Sequence, residues 1–341
     1  MFDHFPRWWD IGIDLVTGCT PVSPACEHCW SAEATHRKGG GNMPMMGCKN
    51  PQIKARYGGL TDYDGRFTGE VRPQWDFLDR IGSARKSQCY TFWNDLFHPG
   101  VEEEFVTSVL LRILSHPQHF YIICTKRPER ALEYFRLIQP DLPNFPGSEQ
   151  LQHYLMLMTT VENQAMADLR LPILLQIPGV LHGVSYEPAL GPVDFSPWLP
   201  HKWQCNSCGY RTNGLIGNCK GYCQDSTGSS CDTKPCPQCG KYHYWTGSMT
   251  GLHWLITGGE TGCHARPMHP DWPRQARDQA VAAGVPFFFK GWGEWTSKYP
   301  QGLSLTNRPE TYQHGTHFYR VGKKAAGRLL DGRTWDEVPR I

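Results

Sequence analysis

Short runs of β-branched and aromatic residues recur along the chain: IGIDLV near 11, QCYTFW near 88, HFYIICT near 119, YLMLMTT near 154, VLHGVSY near 180, LHWLIT near 252 and VPFFF near 285. Helix-like segments lie between them, the clearest being EEFVTSVLLRILSH (103–116), PERALEYFRLI (128–138) and WPRQARDQAVAAG (272–284), the last ending on a glycine that can cap it. Strand-like runs alternating with helices predict repeated βα units around a parallel sheet. Six or seven such units in one α/β chain favour a partial or full (β/α) barrel over an isolated Rossmann half.

Residues 197–250 break this rhythm, being polar, rich in Gly and Cys and without helical periodicity. A loop of this length with no stabilising element of its own would be exceptional, so the stretch reads as an inserted module. The expected organisation is a barrel built from 1–196 and 251–341, with a cysteine-rich, zinc-ribbon-like module at 197–250 between two of its strands.

Each strand-like run is followed by a polar cluster: TGC at 17, NDLFH at 94, TKRPER at 125, VENQ at 161, SYEP at 185, GGETG at 258 and KGWGEW at 290. In a parallel barrel the C-terminal strand ends share one face, where active sites are built, so these clusters are expected to converge on one pocket. A single cluster would be read as a helix cap or a loop; clusters in phase with every strand are harder to explain that way.

The chain has 341 residues, enough for a large core, and a formal charge of only +2, which excludes a globally basic coat but leaves room for a local basic patch. No run approaches the roughly 18 apolar residues that a membrane span needs. The first thirty residues, with Asp3, Asp10 and Asp14, do not resemble a signal peptide, and a cytoplasmic protein is expected. In a reducing compartment the 14 cysteines are expected as metal ligands where they cluster, while the scattered Cys48, Cys89, Cys124 and Cys263 suit small buried hydrophobes.

Three of the clustered thiols lie in TGCTPVSPACEHCW (17–30): Cys19, Cys26 and Cys29. Cys26 and Cys29 are spaced to present both sulfurs on one side of a turn, and Cys19 can close over them. Structural zinc prefers four protein ligands, whereas an iron–sulfur cluster on three cysteines keeps one iron open to a small molecule. Pro21 and Pro24 stiffen the loop and lower the entropy lost on ligation. A zinc knuckle completed by His28 or a distant residue is the alternative; a redox-active CxxC lacks the thioredoxin-like context.

Three cysteines after the first strand of a repeated βα chain resemble the radical S-adenosylmethionine (radical SAM) enzymes, although the spacing here is Cx6CxxC and theirs is usually CxxxCxxC. The wider set TGCTPVSPACEHCW, NDLFH, TKRPER, VENQ, EPALGPVD, ITGGETG, ARPM, VPFFFKGWGEW and GRLLDGRTWDEVP resembles a phage and bacterial family of three-cysteine-motif, radical-SAM-like proteins. The resemblance covers nearly the whole chain apart from the insert. It implies a [4Fe-4S] cluster on Cys19, Cys26 and Cys29, with S-adenosylmethionine at the open iron.

With the cofactor there, residue type and strand order assign Asn94 and Asp95 to its amine, Lys126 and Arg127 to its carboxylate, and Glu162 and Asn163 to the ribose hydroxyls. Glu187 and Glu260 are left for the cofactor or the substrate, and Gly258 and Gly259 allow a ligand close to the backbone. Lys290, Trp292, Glu294 and Trp295 suit a planar group such as a nucleobase. Capping and salt-bridge roles are the alternative for the polar residues, and buried packing for the tryptophans.

In the insert, Cys205, Cys208, Cys236 and Cys239 form a CxxC…CxxC pair, the pattern of a zinc site whose Zn2+ supplies folding energy that a small core cannot. Cys219, Cys223 and Cys231 are left over. Basic and aromatic residues interleave across the module, as suits nucleic acid, DNA rather than RNA; a purely structural insert is the alternative. Two functions follow. One is a radical SAM enzyme, supplied by an external one-electron donor, that isomerises or modifies a nucleobase, with an amino-acid-conjugated thymidine of hypermodified phage DNA as candidate. The other is a non-catalytic iron–sulfur and zinc protein that binds nucleic acid.

Overall fold

The computed structural model describes residues 8–40, 50–138, 151–205, 211–212, 245–248, 251–298 and 310–339, with the backbone alone between 201 and 248. All seven strand-like runs form one sheet: β1 (Ile11–Ile13), β2 (Cys89–Phe92), β3 (Phe120–Thr125), β4 (Leu155–Thr160), β5 (Leu181–Tyr186), β6 (Trp254–Gly258) and β7 (Phe287–Gly291). Their order in the sheet is their order in the chain, and every neighbouring pair is parallel. The sheet curls into a half-barrel, the partial form of the expected architecture.

Why these runs become central strands is visible at β4, where every residue of LMLMTT is buried. Side chains alternate between two faces. Tyr121, Ile123, Leu155, Leu157, Val184, Tyr186, Phe287 and Phe289 belong to the main core, shared with helices α2 (Glu103–Leu114), α3 (Pro128–Ile138), α4 (Gln164–Leu174) and α5 (Asp271–Ala283). Ile122, Met156, Met158, Trp254, Ile256 and Phe288 make a second, inner cluster capped by Trp8. Each fully buried Phe or Leu contributes about 1.5–3 kcal/mol, so covering both faces is what holds the curl.

Helices α2, α3 and α5 match their expected spans, and Gly284 caps α5 in the left-handed region. Helix α4 carries Pro172 in its interior, which masks its periodicity in the sequence. Helix α1 (Trp30–Gly39) begins directly after Cys29. The tail lies along the free edge of β7: Phe289 N–H donates to the Trp335 carbonyl at 2.9 Å and Glu337 N–H to Phe287 at 3.3 Å. An open strand edge is thereby covered.

Between β5 and β6 the insert contributes its own antiparallel sheet, with His201–Cys205 flanked by Arg211–Thr212 and Trp245–Ser248. Cys205 closes the central strand opposite Trp245. Cys208, Cys236 and Cys239, and with them the zinc site as a whole, lie outside the described residues, as do Cys219, Cys223 and Cys231. Among the described residues no helix is long and apolar enough to cross a membrane.

Candidate functional site: a cysteine loop clamped across the strand ends

The chain leaves β1 through Val16–Thr17, which pairs with Arg72–Pro73. At Gly18, φ is 84°, and a Cβ there would lie 2.0 Å from the Glu70 carbonyl oxygen, so the entry to the loop admits only glycine. Pro24–Cys26 form one 3-10 turn, and Cys29 in extended conformation precedes the first residue of α1. All three thiols are free and partly buried. Burial, then Asp95, raises the pKa of the Cys19 thiol against the opposing pull of Arg127. The Cys26 sulfur lies 3.5 Å from the Val22 amide, which donates to it, and 3.8 Å from the Ser23 hydroxyl.

Charged residues from the other strand ends reach this loop. Beyond β3, Arg127 forms a buried ion pair with Asp95 (Nη1 to Oδ2, 2.6 Å), donates from Nη2 to the Thr20 carbonyl at 2.9 Å, and places Nη1 3.9 Å from the Cys19 sulfur. Asp95 is fully engaged: the Thr125 hydroxyl donates to it at 2.6 Å, the Phe97 amide at 3.1 Å and the Lys126 amide at 3.2 Å. His98 completes this corner. Its Nδ1 accepts from the Gly100 amide at 3.0 Å, which leaves the proton on Nε2 to donate to the Thr20 hydroxyl at 2.8 Å.

The middle of the loop is held from β4 and β6. Glu162, fully buried, pairs with Arg170 at 3.0 Å and accepts from the Ala25 amide at 3.4 Å. Glu260 pairs with Arg266 at 2.6 Å, and the same guanidinium reaches the Pro24 carbonyl and the Glu27 carboxylate, each at 3.0 Å. Nearby, the His28 and His264 rings stack with centroids 5.5 Å apart. The loop that starts at one edge of the sheet thus crosses the C-terminal strand ends as far as β6. Losing one member of such a buried pair typically costs about 3–5 kcal/mol, because the other charge is stranded.

One family model matches residues 6–339, almost the full length. The chain belongs to the DUF5131 family. DUF5131 is described as a family of proteins of unknown function. Neither a search of curated proteins nor one of solved structures gave a match.

In this DUF5131 chain the candidate residues fall into two groups. Asp95, Arg127, Glu162 and Glu260 are committed to protein partners that hold the loop. Asn94, at φ 62°, accepts from the Ser31 hydroxyl at 2.5 Å and donates to the Val16 carbonyl at 2.7 Å, while Asn163 caps α4 by accepting from the Met166 amide. Lys126 is different. Among the described residues its ammonium makes no hydrogen bond or ion pair; burial acts to lower its pKa, and Cys26, Cys124, Cys29 and Glu162 more than offset that and raise it.

On the far wall Glu187, steadied by the Ser185 hydroxyl at 3.3 Å, spans β6 to pair with Lys290 at 3.2 Å. Gly258 makes that span possible, since a Cβ there would stand 2.7 Å from Glu187 Oε1, and a Cβ on Gly259 would meet the Trp292 carbonyl oxygen at 2.1 Å. The glycine pair therefore admits the protein's own side chain and backbone. Trp292 and Trp295 spend their indole N–H groups on the Leu329 and Ala265 carbonyls, and Glu294 accepts from the Gly262 amide. Arg170, Arg266, His98 and Thr20 were absent from the sequence candidates. For the two arginines the signal was arithmetic: three acids buried at strand ends require three cations, and Arg127 answers only Asp95.

Among the described residues no three His, Cys, Asp or Glu side chains stand close enough to hold a single metal ion. The His28 ring, a fourth ligand in the zinc-knuckle alternative, stacks on His264. A cluster makes another demand, since each thiolate binds a different iron and the sulfurs stand wider apart. Three partly buried thiols on one loop, with Arg127 Nη1 3.9 Å from the Cys19 sulfur, match the three-cysteine set such a cluster takes.

Proposed function

We propose that this chain is a radical SAM enzyme, with a [4Fe-4S] cluster on Cys19, Cys26 and Cys29 at the mouth of the half-barrel. The observation that carries the reading is Lys126: at the end of β3, next to the loop-holding Arg127, its ammonium has no hydrogen-bond partner among the described residues and lies within electrostatic reach of Cys26 and Cys29. It would pair with the carboxylate of S-adenosylmethionine, and Glu187 with Lys290 would offer further polar contact on the opposite wall. Together the cluster and S-adenosylmethionine would supply a 5′-deoxyadenosyl radical able to take hydrogen from an unactivated C–H bond. The chain itself orients the cofactor through Lys126, keeps the loop in place through Arg127, Glu162 and Arg266, and excludes water with the apolar floor of Met156, Met158, Trp254 and Ile256.

For the substrate we propose a nucleic-acid base, with an amino-acid-conjugated thymidine in phage DNA as candidate. This rests on the resemblance and on the basic, aromatic insert, whose Cys205, Cys208, Cys236 and Cys239 are proposed to hold Zn2+. An external donor provides the electron. Anaerobically reconstituted protein should absorb as a [4Fe-4S] centre, change its EPR signal when S-adenosylmethionine is added, and release 5′-deoxyadenosine with dithionite. Lys126→Gln should keep the cluster absorbance and weaken S-adenosylmethionine binding by about 1.5–3 kcal/mol. No 5′-deoxyadenosine from a fully reconstituted cluster would overturn the reading.

A further inference from the structure

The loop's anchors form a pattern of their own. At positions 19, 20, 24, 25 and 27 the holding group is a side chain from beyond another strand end: Arg127 to Cys19 and Thr20, Glu162 to Ala25, Arg266 to Pro24 and Glu27. The anchors are themselves fixed from behind. Arg127 is held by Asp95, Glu162 by Arg170, and Arg266 by Glu260 through both its side chain and its own amide, which donates to Glu260 Oε2 at 2.8 Å. Pro21 and Pro24 reduce the number of shapes the free loop can explore.

We propose that Arg127 and Arg266 are positioning residues that fold the three-cysteine loop into its ligating shape without metal, so that iron enters a preformed site. The inference concerns the metal-free chain; it draws on the iron–sulfur reading only for what the site receives. A buried guanidinium that satisfies a strand-end carboxylate and a loop carbonyl together transmits the rigidity of the sheet to the loop. Arg266 is the better handle, because its side chain is partly exposed where that of Arg127 is buried.

The test uses the full-length metal-free protein and reads amide hydrogen exchange at Ala25, Cys26 and Glu27, with Ile122 and Leu157 of the central strands as internal references. The loop amides should be protected in the parent. In Arg266→Gln they should exchange about tenfold faster or more with the references unchanged, and Arg266→Lys should recover part of the loss. Uptake of ferrous iron and sulfide under anaerobic conditions should slow in the same order across the variants. Loop amides that exchange at the unfolded rate in the metal-free parent, or equal protection in parent and Arg266→Gln, overturn the proposal. If Arg266→Gln also loosens the references, Glu27→Ala, which removes the loop's side-chain acceptor for Arg266, replaces it under the same criteria. A loop protected in the arginine-dependent way in a protein that takes up no iron upholds the positioning role and defeats the iron–sulfur assignment instead.

Discussion

Along the inner face of the half-barrel, strands β3 to β7 pass from apolar to polar or small residues in the direction of the chain. Ile122 leads to Cys124 on β3, Met158 to Thr160 on β4, Gly183 to Ser185 on β5, Ile256 to Gly258 on β6 and Phe288 to Lys290 on β7. The lower end is closed by Trp8, Met156, Trp254 and Phe288. Above the upper end lie buried acids, each matched by an arginine, and the cysteine loop. The same strands therefore carry stability at one end and candidate chemistry at the other, the division of labour expected of parallel α/β barrels. Substitutions at the two ends should separate these properties.

The largest effect is expected at the mouth. Cys26→Ala should abolish cluster formation and 5′-deoxyadenosine release, since two thiolates cannot hold the site, while urea melts shift by no more than about 1 kcal/mol. A variant that retains full product formation would remove the cluster from this loop. At the floor the outcome should invert: Trp254→Ala should cost about 3–5 kcal/mol of stability. It also removes the indole that donates to the Glu337 carbonyl at 2.9 Å, and so loosens the tail. Exchange rates in the cysteine loop should stay near those of the parent under native conditions.

A third comparison uses acid. His182, near the start of β5, has its pKa pushed down to about 4 by burial, with His253 adding to the shift and the Ile177 carbonyl opposing it. Its folded value is below the ordinary 6.5, so between the two the unfolded chain binds a proton that the folded chain refuses. The associated stability is complete above about pH 6.5 and falls as pH drops toward 4, by about 3 kcal/mol in all. Melts of the parent and of His182→Gln across that window should show the variant less acid-sensitive; identical slopes would place the acid response elsewhere. The smallest effect is expected at Thr257, whose buried hydroxyl has no hydrogen-bond partner among the described residues. Thr257→Val should be neutral or stabilising by up to about 1 kcal/mol, and a clear loss in a melt would reveal a partner for that hydroxyl.

The strands were legible because runs such as LMLMTT and VPFFF must be buried on both faces, and burial on that scale leaves few other arrangements. Helices α2, α3 and α5 were legible from their spacing. Helix α4 was not, because Pro172 interrupts the pattern while tertiary contacts of Ala167, Leu171 and Leu174 hold the helix. At the site, the three cysteines and the polar clusters could be read from spacing and phase. Their partners could not. Arg266 is far along the chain from Glu27, and only the fold brings them together. Residue type made Asp95 and Lys126 equally plausible cofactor contacts; the structure separates them, engaging every oxygen of the one and leaving the ammonium of the other without a hydrogen bond or ion pair among the described residues.

By itself the sequence determined the class of fold, the order of its βα units and the place of the cysteine loop after the first strand, because hydrophobic periodicity and short spacings are local properties. Tertiary structure alone decided which charges are spent and which remain. A buried charge must find its counter-ion in three dimensions, and the desolvation cost that enforces the match acts on distance in space, with no regard for separation along the chain.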